Sequence, residues 1–371
     1  MDPGTAPVAT KNQCVSIGYD HARPCDTARM EFDALPFAPG GLGLLGHNGE
    51  FRANRLAMLD RLATVDEPMM RLRVPLPGAR LAVINDPALA QEMLVEKGRS
   101  FDKSDMLRFT LFPLAGEGLF TSNGELWRRQ RRLMAPLFHP KALDTYAGDM
   151  VDIALRAVAR WRDGESLTLL GETTRITMSV AGKTLFAADS FSDADEIGRA
   201  LTVALDWTGH ILGRPVAILH ILARRWVERL SARAPAMTRP LFARAGLGLR
   251  GPVALFGARG RELKQAIALL DERVQRMIDE RRRLGAGAPD DLLTRLLSAR
   301  DDDGAAMDDR QVRDEILTLF IAGHETTATG LAWTIALLAR HPAVYAAVQA
   351  EIDAVGSRPT LADLPRLSLC L

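Results

Sequence analysis

The sequence predicts a mainly α-helical fold with a small β sheet. Apolar residues recur with helical periodicity over most of the chain after residue 86. Two short strand-like runs, 69–74 and 80–84, flank Pro75-Leu-Pro-Gly78 and predict a two-stranded sheet. The 371 residues are 47% apolar and 25% charged, which is typical of a globular protein with one large or two ordinary domains.

Composition excludes several classes of protein. A net charge of +1 gives no bulk attraction to nucleic acid or to anionic membranes. Three cysteines, Cys14, Cys25 and Cys370, provide neither a disulfide framework nor the spacing of a metal site, and they suit a reducing cytoplasm. The first thirty residues lack an apolar run, so we expect a flexible tail over 1–30 without a signal peptide, followed by one domain over 31–371.

The helices are predicted in order from periodicity and from start and stop signals. Residues 101–119 are expected to form an apolar loop, and the stretch 213–260, rich in glycine, proline and arginine, a lid between two helices. The predicted helices are 51–63, one starting at Asp86-Pro87, one starting near Gly124, 144–162, 172–187, 194–212, 262–284, 290–300, 316–340, 342–355 and a short one from 360.

The most informative stretch is the apolar run 316–340, which we predict to be one long helix. Asp308 with Gln311 three residues later is typical of a capped start, and His341-Pro342 marks the end because a residue before proline avoids the helical conformation. A helix that is apolar on all sides belongs in a core. Its length would suit a membrane span, but a charged centre would cost about 2.5 kcal/mol or more in lipid, so we expect a core helix.

Gly323-His324-Glu325-Thr326-Thr327 makes the middle of this helix polar. Glycine there costs roughly 1 kcal/mol against alanine, and a buried carboxylate costs more unless it is paired or hydrated. Two interpretations are open: a flat group docks against the helix and protons move beside it, or a kinked core helix contains a satisfied Glu325. A zinc site is excluded, because Ala328 stands where the pattern His-Glu-x-x-His requires its second histidine.

A second polar pattern places Trp127 and Arg131 four residues apart, on one face of a predicted helix. Arg128, Arg129 and Arg132 lie beside them, and we expect a row of arginines without matching acids to need an anion. Three interpretations are open: a solvated basic face with the tryptophan in the core, an anionic ligand, or nucleic acid. The last is the weakest, because the rest of the chain is neutral and lacks a nucleic-acid-binding motif.

The two motifs together resemble those of cytochromes P-450, the haem-thiolate monooxygenases. Ala322-Gly323-His324-Glu325-Thr326-Thr327 resembles the oxygen-activation motif of that family, and Trp127-x-x-x-Arg131 resembles its haem-propionate motif. The resemblance implies haem b as the cofactor, with Ala322 and Gly323 leaving room for the haem face and dioxygen. It further implies that Thr326 hydrogen-bonds dioxygen, that Glu325 relays protons, and that Trp127 and Arg131 bind a haem propionate.

The same resemblance implies the partners. They are an apolar small-molecule substrate, dioxygen, and an acidic electron donor of the ferredoxin or flavodoxin type that meets Arg128, Arg129 and Arg132. We expect no nucleic acid, no integral membrane anchor and a cytoplasmic location.

Two other motifs of that family are missing from the sequence: the Glu-x-x-Arg helix in its usual context and the cysteine-ligand loop Phe-x-x-Gly-x-x-x-Cys-x-Gly. Cys370 stands in a leucine-rich run without a glycine turn, so we expect no metal ligand in this chain. The expected fold is therefore a cytochrome P-450 fold that is incomplete at its C-terminal end, with exposed apolar surface on the central helix.

Two hypotheses about function follow. The chain is an incomplete copy of a haem-dependent monooxygenase that inserts one oxygen atom from dioxygen into an apolar organic substrate. Alternatively, it is an inactive fragment or a degenerate helical ligand-binding protein without haem.

Overall fold

A computed structural model describes residues 32–74, 80–186, 191–211 and 258–370, with isolated positions between 222 and 230. The predicted tail over 1–30 and most of the predicted lid over 213–260 lie outside the described residues. The described part is mainly helical with one two-stranded sheet, as predicted. Its residues divide into two compact units, one containing those up to Arg108 and the other those at 109–210 and from 258 onward.

The first unit is built around the predicted sheet. Strands β1 (Met69–Arg71) and β2 (Ala82–Ile84) pair antiparallel, with Met70 opposite Val83. Helix α1 (Gly46–Ala63) contributes Met58 and Leu62 to a small core that also contains Met70 and Ala38. The strands are shorter than predicted, but their pairing and their place in the chain are as expected.

The other helices follow in chain order, and most of them match the predicted positions. The segment expected to be a loop over 101–119 instead contains an 11-residue helix. That prediction was wrong because Pro113 does not stop the helix, in which Phe109, Leu111 and Leu114 are buried. The bounds are α2 Pro87–Gln91, α3 Asp105–Ala115, α4 Gly124–Met134, α5 Pro140–Val158, α6 Leu169–Phe186, α7 Phe191–Ile211, α8 Ala258–Leu284, α9 Leu292–Ser298, α10 Asp309–Arg340 and α11 Pro342–Val355.

Helix α10 is the predicted long helix, and its ends lie where the signals place them. The Asp308 side chain accepts a hydrogen bond from the Gln311 N–H at 2.7 Å, and His341 follows the last helical residue. The N-terminal half carries Ile316, Leu317 and Phe320, all buried, and packs against α6, α8 and α9. This half is therefore the core helix that the sequence predicts.

The C-terminal half of α10 differs from the prediction of a helix buried on all sides. No residue of this helix after Ala328 is buried, and Trp333 is 65% exposed. Helix α11 likewise contains no buried residue. The expectation of exposed apolar surface is met here, because no described element covers these turns. Among the described residues no single helix is long and apolar enough to span a membrane. Helices α10 and α11 together have the length and composition of a span, but the chain bends by 115° between them.

Candidate functional site

The polar stretch of α10 forms an open notch, defined by Ala322, Gly323, Glu325 and Thr326. All four residues are exposed, and a Cβ atom added to Gly323 would meet nothing within 4 Å. The expectation of a buried carboxylate at Glu325 was wrong, because α6 packs against the opposite side of the helix. The interpretation of a kinked core helix with a buried, satisfied Glu325 loses its basis, and an open helix face remains.

The Thr326 side chain is fixed by a hydrogen bond within its own helix. The Thr326 hydroxyl donates to the carbonyl oxygen of Ala322 at 2.7 Å, which is the bond to the residue four positions earlier. This bond fixes the side-chain rotamer and leaves the hydroxyl oxygen as an acceptor beside the open face. Thr326 is thus held in one orientation next to Gly323.

The buried side of the same turn is anchored to α6. His324 is buried, and its Nδ1 lies 2.6 Å from the Phe320 carbonyl oxygen, so Nδ1 carries the proton in this contact. The carbonyl oxygen of His324 accepts a hydrogen bond from the Thr177 hydroxyl at 3.0 Å. The pair His324 and Thr177 therefore fixes the back of the notch, and sequence reasoning missed Thr177 because it lies 147 positions away.

Trp127 and Arg131 meet on α4, as their spacing predicts. The Arg131 guanidinium carbon lies 5.8 Å from the centre of the Trp127 ring, within the range of a cation–π contact. Trp127 is partly exposed and Arg131 is exposed. Arg131 forms an ion pair with no carboxylate in the part of the chain that the structure describes. An exposed guanidinium beside an indole suits an anionic ligand.

The three neighbouring arginines differ from Arg131, and the expectation that they lack matching acids was wrong. Arg128 pairs with Glu125 on the same helix. Arg129 pairs with Asp301 at 2.5 Å, and Arg132 pairs with Asp302 at 3.2 Å. The acids escaped notice because Asp301 and Asp302 lie about 170 positions further along the chain. Arg131 is therefore the one member of this group without a carboxylate partner among the described residues.

Cys370 is exposed and lies beside a carboxylate. Burial and the neighbouring Glu351 raise the pKa of the Cys370 thiol above its ordinary value, so the thiolate form is disfavoured. The described residues contain no group of three or more histidine, cysteine, aspartate or glutamate side chains that could together bind a metal ion. The expectation that Cys370 is not an iron ligand stays a prediction from the sequence.

A mainly helical fold, an open acid–hydroxyl notch at mid-helix and a tryptophan–arginine pair thus lie in one compact unit. Comparison with known proteins gives the family. The model of the cytochrome P450 family matches residues 36–370. The chain belongs to the cytochrome P450 family.

Individual relatives agree with this assignment. The chain is 31% identical over 336 residues to cyclooctatin synthase from Streptomyces melanosporofaciens, covering 89% of this chain and 65% of that protein. It is 31% identical over 338 residues to cyclooctat-9-en-7-ol 5-monooxygenase from the same species, covering 89% of this chain and 64% of that protein. The crystal structure of a cytochrome P450DA haem domain matches with a TM-score of 0.68 and 26% identity, over 90% of this chain and 67% of that one. The chain thus spans slightly less than two thirds of the length of the two Streptomyces enzymes.

The family cofactor is haem b, and the described residues fit its distal face and a propionate. Gly323 leaves open space where a side chain would stand, which allows a flat ring to approach the helix. Arg131 offers an exposed guanidinium without a carboxylate partner among the described residues. Cys370 stands in a leucine-rich run without the glycine turn of the family's cysteine-ligand loop, so it does not fit the role of axial ligand. The fit therefore covers the residues of the notch and the Trp127–Arg131 pair.

Proposed function

We propose that this chain forms the oxygen-activating and propionate-binding part of a haem-dependent monooxygenase, which inserts one oxygen atom from dioxygen into an apolar organic substrate. The second oxygen atom leaves as water, with two electrons from a donor. The observation that carries this proposal is the open notch on α10 in the same compact unit as Arg131 on α4, which has no carboxylate partner among the described residues. The monooxygenase named among the relatives supports the reaction class.

Each notch residue has a proposed task. When bound, haem supplies the redox chemistry that activates dioxygen. Ala322 and Gly323 keep the helix face clear for the ring. In this proposal the Thr326 hydroxyl exchanges its bond to the Ala322 carbonyl for one that it donates to dioxygen. The exposed Glu325 carboxylate moves protons from solvent to that hydroxyl. Trp127 donates its indole N–H and Arg131 its guanidinium N–H groups to a propionate.

Hemin titration tests the propionate-binding role. We expect the purified chain to bind hemin, and Arg131→Ala to weaken binding about 10-fold because a charge-assisted hydrogen bond is lost. Arg128→Ala is the matched control on the same helix, since Arg128 already pairs with the exposed Glu125, and it should change affinity less than twofold. Equal effects of the two substitutions would contradict the assignment of Arg131.

The alternative is a helical ligand-binding protein without haem. The exposed apolar side chains of α10, such as Trp333 and Leu337, are the observation in its favour, because they offer a surface to an apolar ligand. The reduced, carbon-monoxide-treated spectrum separates the two functions: we expect hemin binding without a thiolate-type Soret band for this chain. The appearance of that band would overturn the interpretation of Cys370, and the absence of any hemin binding would favour the alternative.

The electron donor in this proposal is an acidic protein of the ferredoxin or flavodoxin type, and the location is cytoplasmic. Arg128 and Arg132 are its contact points, because both guanidinium groups are more than half exposed. Arg129 leaves the predicted set, since it is partly buried against Asp301. Binding of an acidic ferredoxin should weaken as salt rises and weaken further in Arg132→Glu. Binding that is insensitive to both changes would contradict this docking site.

A further inference from the structure

Two buried carboxylates on α10 have no part in the proposed reaction. Asp314 is 4% exposed and Glu315 is fully buried, and both precede the notch by about two helical turns. A buried carboxylate is costly unless hydrogen bonds and countercharge compensate for the lost water. Their contacts therefore indicate what the two acids do.

Both carboxylates hold one turn of the chain, Gly116–Ser122, which we call the anchored turn. The Glu117 N–H donates to Asp314 Oδ2 at 2.8 Å, and the Leu119 N–H donates to Glu315 Oε2 at 2.8 Å. Hydrogen bonds from amide groups to a carboxylate are stronger than those between neutral groups. The two acids thus fix the anchored turn against the N-terminal half of α10.

The approach between the anchored turn and α10 is too close for larger residues. A Cβ atom on Gly116 would lie 2.1 Å from Asp314 Oδ2, and one on Gly118 would lie 2.3 Å from the Thr318 hydroxyl oxygen. Both contacts are well below the normal distance between non-bonded atoms. Glycine at 116 and 118 is therefore what lets the backbone N–H groups reach the carboxylates.

The anchored turn is in turn bound to α4 by Gln130. This residue is fully buried, donates to the Glu117 carbonyl oxygen at 2.8 Å, and accepts from the Ser122 hydroxyl at 2.5 Å. Gln130 directly precedes Arg131 and follows Trp127 by three positions. A continuous path of hydrogen bonds thus leads from α10 through the anchored turn to Gln130 on α4, the helix that carries Trp127 and Arg131.

We infer that Asp314 and Glu315 are positioning residues for the haem site, which set the location of Trp127 and Arg131 relative to the notch. This inference rests on the proposed function. Glu315 precedes Gly323 by eight residues, or about 12 Å along the helix axis. Because the two acids and the notch share one rigid helix, the buried contacts define a single register for α4. Residues that hold ligand-binding groups in place this way typically change affinity 10- to 100-fold when they are removed.

The anchoring itself is tested by hydrogen exchange on the purified chain. Glu315→Ala should speed exchange of the amides over 116–134, whereas Glu315→Gln should restore protection because its amide oxygen still accepts from Leu119. Asp291→Ala is the matched control. Asp291 is as buried as Asp314, but among the described residues it caps α9 and pairs with Arg281 rather than with the anchored turn. Gln130→Leu tests the second link without touching the acids: only the amides of α4 should lose protection.

Hemin affinity then separates positioning from general destabilisation. In the parent chain, Glu315→Ala should weaken hemin binding about 10-fold. In a chain that already carries Arg131→Ala, the same substitution should weaken binding less than twofold, because Glu315 acts through the Arg131 guanidinium. Additive losses, or a loss as large in Asp291→Ala, would overturn the inference. If the parent chain binds no hemin, the proposed function fails, and hydrogen exchange alone tests the anchoring. Faster exchange over 116–134 in Glu315→Ala but not in Asp291→Ala supports the anchoring. Unchanged exchange in Glu315→Ala overturns it.

Discussion

Single residues show how a local feature acquires its role from a distant contact. Gly116 adopts a φ of +51°, a conformation that favours glycine, and so does Gly285. Only Gly116 faces a buried carboxylate. The two glycines therefore have the same backbone torsion in different surroundings.

This difference predicts unequal costs for alanine at the two positions. Gly285→Ala should lower the free energy of unfolding by about 1 kcal/mol, the cost of the left-handed conformation alone. Gly116→Ala should cost about 3 kcal/mol or more, because its methyl group collides with Asp314. Urea unfolding of both variants measures this, and equal losses would contradict the close packing of the anchored turn.

Asp314 also gives a prediction about pH. Burial raises the pKa of Asp314 above its ordinary value of 3.8, although the Glu117 N–H and Arg313 oppose the shift. The folded state then holds the proton more tightly than the unfolded state, so this group's contribution to stability falls as pH rises from about 3.8 through the raised pKa. Asn cannot titrate, so the stability of Asp314→Asn relative to the parent chain should rise across that window.

Asp290 provides the control with the opposite sign. The hydrogen bond from Arg295 lowers the pKa of Asp290, so its contribution is present above 3.8 and is lost as pH falls through the lowered pKa. The free energy of unfolding of Asp290→Asn should therefore differ from that of the parent chain by a constant amount above about pH 5. The difference should change only in more acidic solution. Denaturant unfolding at several pH values tests both variants. Parallel pH profiles for Asp314→Asn and the parent chain would count against the raised pKa.

At the scale of elements, α10 combines a core helix and an exposed helix in one continuous rod. Its N-terminal half packs against α6, α8 and α9, whereas its C-terminal half and α11 have no buried residue beyond Ala328. Periodicity alone made the whole helix resemble a core element. Burial depends on which elements lie opposite, and that information is not in the helix itself.

Two aromatic residues on α10 make this contrast measurable. Phe320→Ala should lower the free energy of unfolding by about 3–5 kcal/mol, because a fully packed ring is replaced by a cavity. Trp333→Ala, 65% exposed, should cost less than about 1 kcal/mol. Chemical denaturation of the two variants gives the comparison, and a large loss for Trp333→Ala would mean that this end of the helix is packed in solution.

For the whole molecule, α10 and α11 stand out because neighbouring turns of both helices expose large apolar side chains. Leu331, Trp333, Ile335, Leu337, Val344 and Tyr345 are each at least 40% exposed. Large apolar patches are uncommon on monomeric proteins and favour association or dye binding. We expect the chain to bind a hydrophobic fluorescent dye, and Trp333→Gln with Leu337→Gln to reduce that binding at unchanged far-UV circular dichroism. Dye binding that the double variant leaves unchanged would place the apolar surface elsewhere.

The sequence by itself determined the long helix, its two ends, the hairpin and both motifs that identify the family. These features depend on torsional preferences and on spacings of a few residues, which are local properties. Only the tertiary structure decided which side of α10 is open, which arginines are neutralised, and that Asp314 and Glu315 hold a turn nearly 200 positions away. Such contacts follow from how helices pack in space, and no short-range pattern encodes them.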